Sequence, residues 1–255
     1  MNLSIYDRRV FSLYESNSQR IRVLTENWFH HEMYCPVCSR DAIESFPNNT
    51  KVKDFYCGEC KSEYQLKSQQ KSFSGKVNDG AYKPMIESID SGMRPHFLFL
   101  HYTVEYAVQD LLMVPNFFFT PSIIERRNPL SPTARKKGWV GCNILLREIP
   151  PEGKLWIVDN GSILKRENVA SQWKKIAFMR DAFPSERGWI ADTLRFVHKL
   201  GKKEFSLNEM YGFEQEFSLL HPDNKHIQAK IRQQLQIMRD KGLLRFLGNG
   251  RYALN

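Results

Sequence analysis

Val52-Lys-Asp-Phe-Tyr-Cys57-Gly-Glu-Cys60-Lys-Ser-Glu-Tyr-Gln-Leu-Lys67 is the stretch that decides how this chain folds. Its ends, Val52–Tyr56 and Glu63–Lys67, read as short strands, and a Cys-x-x-Cys pair lies between them. An earlier pair, Cys35-Pro-Val-Cys38, completes the pattern C-x2-C-x18-C-x2-C. Four thiolates in two close pairs can close a tetrahedral Zn2+ site, and four protein ligands leave no open position for a reacting water. Cys35, Cys38, Cys57 and Cys60 are therefore expected to hold a structural zinc, with the lone Cys142 in the core. If the knuckle is the turn of an antiparallel hairpin, side chains alternate along it with period two. Glu63, Gln65 and Lys67 then share a face, and Asp54 approaches Gln65 and Lys67. Phosphodiester hydrolysis needs such a group: oxygen ligands for Mg2+, and an amine to orient or deprotonate the attacking water. Asp54, Gln65 and Lys67 are the candidate catalytic residues, with Asp54 and Gln65 as magnesium ligands. On these three residues alone, a surface aspartate and a surface lysine beside a zinc knuckle is the competing reading.

Outward from this stretch, residues 1–182 mix helical and strand patterns, with strand-like runs at residues 51–57, 63–67, 96–104 and 154–158. An α/β domain with a central mixed sheet is expected. The 255 residues carry 42% hydrophobic and 13% aromatic side chains, enough for a buried core and too many for wholesale disorder. The net charge of +9 favours a polyanionic partner. Asp7, Arg8 and Arg9 stand where a signal peptide needs an apolar run, and no stretch reaches the roughly 20 apolar residues of a membrane span. A soluble, cytoplasmic protein without a membrane partner is expected.

The boundary is expected in 181–188, where Pro184, Ser185 and Gly188 interrupt the pattern, leaving residues 183–255 as a second domain. Beyond Gly188 a first helix runs to about Gly201. Ser206 and Glu209 form a capping box for a second helix reaching Leu220. A third helix buries Ile227, Ile231, Leu235 and Met238, and Gly248-Asn-Gly250 turns a closing hairpin. Three helices and a hairpin within about 70 residues is a winged-helix order. On the polar face of its third helix, Gln228, Arg232, Gln236 and Arg239 suit adenine and guanine edges in a major groove, whereas Lys225, Lys230, Arg245 and Arg251 suit phosphates. A solvated helix face is the plain alternative.

Asp54…Gln65-Leu-Lys67 resembles the D…(D/E/Q)-x-K signature of the PD-(D/E)xK nuclease superfamily. Leu24-Thr-Glu26, Asn78-Asp-Gly-Ala-Tyr82, Pro132-Thr-Ala-Arg135, Gly138-Trp-Val-Gly-Cys-Asn143 and Ile231-Arg-Gln-Gln-Leu-Gln236 extend the likeness along the chain. Together they are similar to the DpnI-like methyl-directed type II restriction endonucleases. That resemblance implies a PD-(D/E)xK domain with a structural zinc, a C-terminal winged helix, Mg2+ as catalytic metal, and cleavage of double-stranded DNA at GATC carrying N6-methyladenine. It further implies a bacterial enzyme, expected as a monomer. It places Trp139 at the methyl pocket, between a basic segment that includes Arg135 and Lys136 and Gly141; the alternative is a core tryptophan. Gln65 stands where the family carries an acidic residue, which lowers the charge of the site by one. A non-catalytic DNA-binding regulator would account for the charge, the cysteines and the C-terminus, but not for Asp54, Gln65 and Lys67.

Overall fold

A computed structural model describes the whole chain except residues 6–8, 48, 49, 51, 74 and 93. In chain order its helices and strands are α1 (Val10–Leu13), α2 (Asn17–Glu32), β1 (Ile43–Ser45), β2 (Phe55–Cys57), β3 (Glu63–Gln69), β4 (Val77–Ala81), α3 (Tyr82–Asp90), β5 (His96–Tyr102) and β6 (Val108–Val114). There follow β7 (Ile124–Arg126), β8 (Gly141–Ile144), β9 (Leu155–Asp159), β10 (Ser162–Ile163), α4 (Arg166–Ile176), α5 (Pro184–Lys199), β11 (Glu204–Ser206), α6 (Leu207–Tyr211), α7 (Glu214–Leu220), α8 (Ile227–Asp240), β12 (Leu244–Gly248) and β13 (Arg251–Leu254). They pack as two compact units, residues 1–74, 93–116 and 152–174 in one, residues 75–92, 117–151 and 175–255 in the other. The position 182/183 lies inside the second unit.

The first unit holds a seven-stranded mixed sheet of order β1-β2-β3-β5-β6-β9-β10, in which only the β3–β5 pairing is parallel. Its centre is β5, whose Phe97, Leu98, Phe99 and Leu100 are all fully buried. Consecutive buried residues on one strand require cover on both faces of the sheet. Helix α2 supplies part of that cover through Leu24, Trp28 and Phe29, the Phe29 ring packing 4.7 Å from Phe55. The strand expected from residue 51 is shorter: β2 begins at Phe55, because Val52 takes a left-handed φ of 67° and turns the chain just before it. Lys51 lies outside the described residues.

In the second unit β4, β8 and β7 form a small antiparallel sheet, and residues 184–254 form a winged helix whose strands run β11-β13-β12. Two expectations are corrected here. Pro184 opens α5 as its first residue, where a missing N–H costs nothing, and Gly188 sits buried inside that helix rather than ending a linker. The second helix is two: α6 ends at Tyr211 and α7 starts at Glu214, with Gly212 and Phe213 between them. The capping box holds, since Ser206 Oγ accepts from Glu209 N–H and Glu209 Oε2 accepts from Ser206 N–H. Gly248, Asn249 and Gly250 all take positive φ in the wing turn, which glycine and asparagine tolerate best.

A buried polar clamp ties α5 to the turns just before β7 and just after β8 in the same unit. Asp192, 3% exposed, accepts from Ser122 Oγ at 2.7 Å and lies 3.3 Å from Arg195 Nη2 and 3.1 Å from His221 Nε2. Arg195 reaches on to Glu148 at 3.8 Å. The His221 ring stacks on buried Trp189 at 3.9 Å.

Candidate active site

The two Cys-x-x-Cys turns meet. All four sulfurs lie within 4.8 Å of one another, with Cys35 to Cys60 at 3.5 Å and Cys38 to Cys57 at 3.7 Å. A tetrahedron with Zn–S bonds of about 2.3 Å has edges of about 3.8 Å, so the donor set fits zinc. The knuckle works as a turn between strands, with Cys57 N–H donating to Ser62 O and Lys61 N–H to Cys57 O. Beyond it Phe55 pairs with Tyr64 and Tyr56 with Glu63.

That register brings Asp54 to β3. Its N–H donates to Tyr64 O at 2.9 Å, and its Oδ2 accepts from Leu66 N–H at 2.8 Å. The carboxylate therefore sits at the backbone between Gln65 and Lys67. Burial raises the Asp54 carboxyl above the usual range, and the Leu66 N–H, Arg22 and Lys67 act against that rise. Gln65 Oε1 is buried with no hydrogen-bond partner among the described residues. Lys67 Nζ lies 5.8 Å from the centre of the Phe97 ring. Glu63, expected on the Gln65 face, is engaged elsewhere: Lys53 Nζ approaches its carboxylate to 2.6 Å.

Glu26, which sequence reading does not single out, lies near Asp54. It lies on α2, half-buried, paired with Arg22 at 2.6 Å. Burial raises its carboxyl, Arg22 lowers it, and the charge of Asp54 raises it further. Glu26 and Asp54 share the wall of a cleft of about 220 Å³, lined also by Arg22, Asn27, His30 and Lys53. Its membership of the Leu24-Thr-Glu26 string was the one sequence signal for it. Glu26 and Asp54 are thus two carboxylates held close enough for one to act on the other, and carboxylate oxygens are the donors a hard cation takes.

The candidate DNA-reading residues occupy the second unit. Trp139 is half-buried, outside the core, and its ring lies on the bare face of Gly141: a Cβ there would meet two ring carbons at 2.7 Å. Arg126, Arg127, Arg135, Lys136 and Lys137 are exposed. On α8, Gln228, Arg232 and Arg239 are exposed and Gln236 is half-buried, opposite the buried Ile227, Ile231, Leu235 and Met238. Gln228 donates to Glu214 at 2.7 Å, and Arg251 on the wing pairs with Glu204 at 3.1 Å. No described helix is long and apolar enough to cross a membrane.

Two family models match the chain. Residues 1–182 match the model of DpnI, described as the Dam-replacing family, and residues 185–253 match that of its C-terminal partner, the Dam-replacing HTH domain. An α/β chain with a four-cysteine cluster and a helix-turn-helix end, matched almost throughout by these two models, belongs to the DpnI family of methyl-directed restriction enzymes.

Proposed function

We propose that this chain is a Mg2+-dependent type II endonuclease that cleaves double-stranded DNA at GATC sites carrying N6-methyladenine. The observation that carries the nuclease reading is the Asp54 carboxylate seated on β3 between Gln65 and Lys67. The resemblance supplies the target sequence and its methyl group.

Asp54 and Gln65 would hold the cation, the first by its carboxylate and the second by the otherwise unpaired Oε1. When bound, Mg2+ supplies positive charge for the scissile phosphate as negative charge develops on its oxygens. The Leu66 N–H fixes the Asp54 rotamer, so the carboxylate is oriented before substrate arrives. Lys67 is a hydrogen-bond donor on the same edge, suited to orient the attacking water or take its proton. Gln65→Glu adds the missing negative charge and is expected to lower the Mg2+ concentration for half-maximal cleavage; an unchanged titration counts against Gln65 as a ligand.

Trp139 offers a rigid apolar plane, and the missing Cβ of Gly141 leaves room for its ring. One methyl group in an apolar pocket is worth about 1–3 kcal/mol. Trp139→Ala is therefore expected to lower cleavage of adenine-methylated plasmid about tenfold or more. Cleavage of unmethylated plasmid, already negligible, should not change. Arg135 and Lys136 beside it, and Arg251 on the wing, are assigned to phosphates. Gln228, Arg232 and Gln236 are assigned to base edges, Gln228 exchanging Glu214 for adenine.

The test of the whole reading is incubation of the chain and Mg2+ with methylated and unmethylated plasmid. Cutting of the methylated plasmid alone supports it. Methylated DNA that is shifted in a gel yet stays intact would leave a binding protein in its place.

A further inference from the structure

We propose that Tyr64 is a built-in hydrogen-bond donor to the metal cluster, and that through it the cluster is fastened to the strand carrying Gln65 and Lys67. The inference rests on the cysteines holding zinc.

Three observations support it. Tyr64 is fully buried, and its hydroxyl lies 2.9 Å from Cys35 Sγ. A metal-bound thiolate has no proton to give, so the phenol, protonated at neutral pH, is the donor. The same residue is the backbone anchor of the nuclease centre, since its carbonyl accepts from Asp54 N–H and its neighbour in the chain is Gln65. Four thiolates around one Zn2+ leave an excess of negative charge on sulfur, and a donor aimed at one of them spreads that charge. A tyrosine that merely filled the core would leave its buried hydroxyl in need of some other partner.

Tyr64→Phe keeps the ring and removes only the donor. In the zinc-loaded full chain, Tyr64→Phe is expected to release zinc to an excess of a coloured chelator about tenfold faster than wild type. In the cobalt-substituted protein it should shift the thiolate-to-metal charge-transfer band. Tyr102→Phe, which strips the hydroxyl from another buried tyrosine of the same sheet, should change neither. Unaltered release and an unaltered cobalt band in Tyr64→Phe would overturn the proposal, as would equal acceleration in Tyr102→Phe. Wild-type chain purified without zinc and unable to take it up would instead remove the reading on which the inference rests.

Discussion

Asp54→Asn is expected to abolish strand cleavage while leaving binding of methylated duplex largely intact. Asparagine still accepts from Leu66 N–H, so the hairpin should survive and the loss can be assigned to the carboxylate charge. A metal acting on a phosphoryl oxygen supplies several kcal/mol of transition-state stabilisation. At about 1.4 kcal/mol per tenfold, that is a thousandfold or more in rate. A second readout comes from the raised carboxyls of Asp54 and Glu26. A folded-state pKa above the unfolded value means stability that is present at low pH and lost as pH rises through the raised value. Ionising the two carboxyls therefore strains the fold, and a cation should relieve it. Mg2+ is expected to raise the melting temperature of wild type and not of Asp54→Asn, whereas without metal the variant should melt above wild type. Retained cleavage by the variant, measured on methylated plasmid, would end the assignment of Asp54.

Removal of the cluster should be the most damaging change to stability. Structural zinc contributes on the order of 10 kcal/mol in small domains, against a total folding stability of about 5–15 kcal/mol. The strands it ties are short, for β1 and β2 span three residues each. Cys57→Ser, which replaces a fully buried ligand, is expected to lose zinc and unpair β1 and β2 from β3. Cleavage should fall to background with them, because Asp54 reaches β3 only through that pairing. Metal content, thermal melting and plasmid cleavage together check it. A Cys57→Ser chain that melts and cuts like wild type would show the cluster to be dispensable.

How much of this was legible in the sequence follows from the range of each signal. The cysteine spacing and the capping box at Ser206 and Glu209 are local, and both meet as their spacing implies. The approach of Asp54 to β3 follows from the knuckle acting as a turn, and its carboxylate lands on the Leu66 N–H. Glu26 was not legible, because it stands on a helix whose packing against β3 no periodicity announces. Nor was the engagement of Glu63: alternation gives the face of a strand, not that Lys53 will occupy it. The break at Gly212 was hidden because the residues on either side keep helical character. At Gly188 a residue usually read as punctuation is instead buried within α5.

The clamp around Asp192 bears on how the molecule can be divided. Its acid belongs to the part matched by the HTH model, while Ser122 and Glu148 belong to the part matched by the nuclease model. Excising the C-terminal portion near residue 183 would thus strip a buried carboxylate of its hydroxyl donor and deprive Arg195 of its outer acid. Fragments meant to isolate either part inherit that wound, and Asp192→Asn in the smaller piece would deepen it, because Arg195 would then lose its inner acid as well as its outer one.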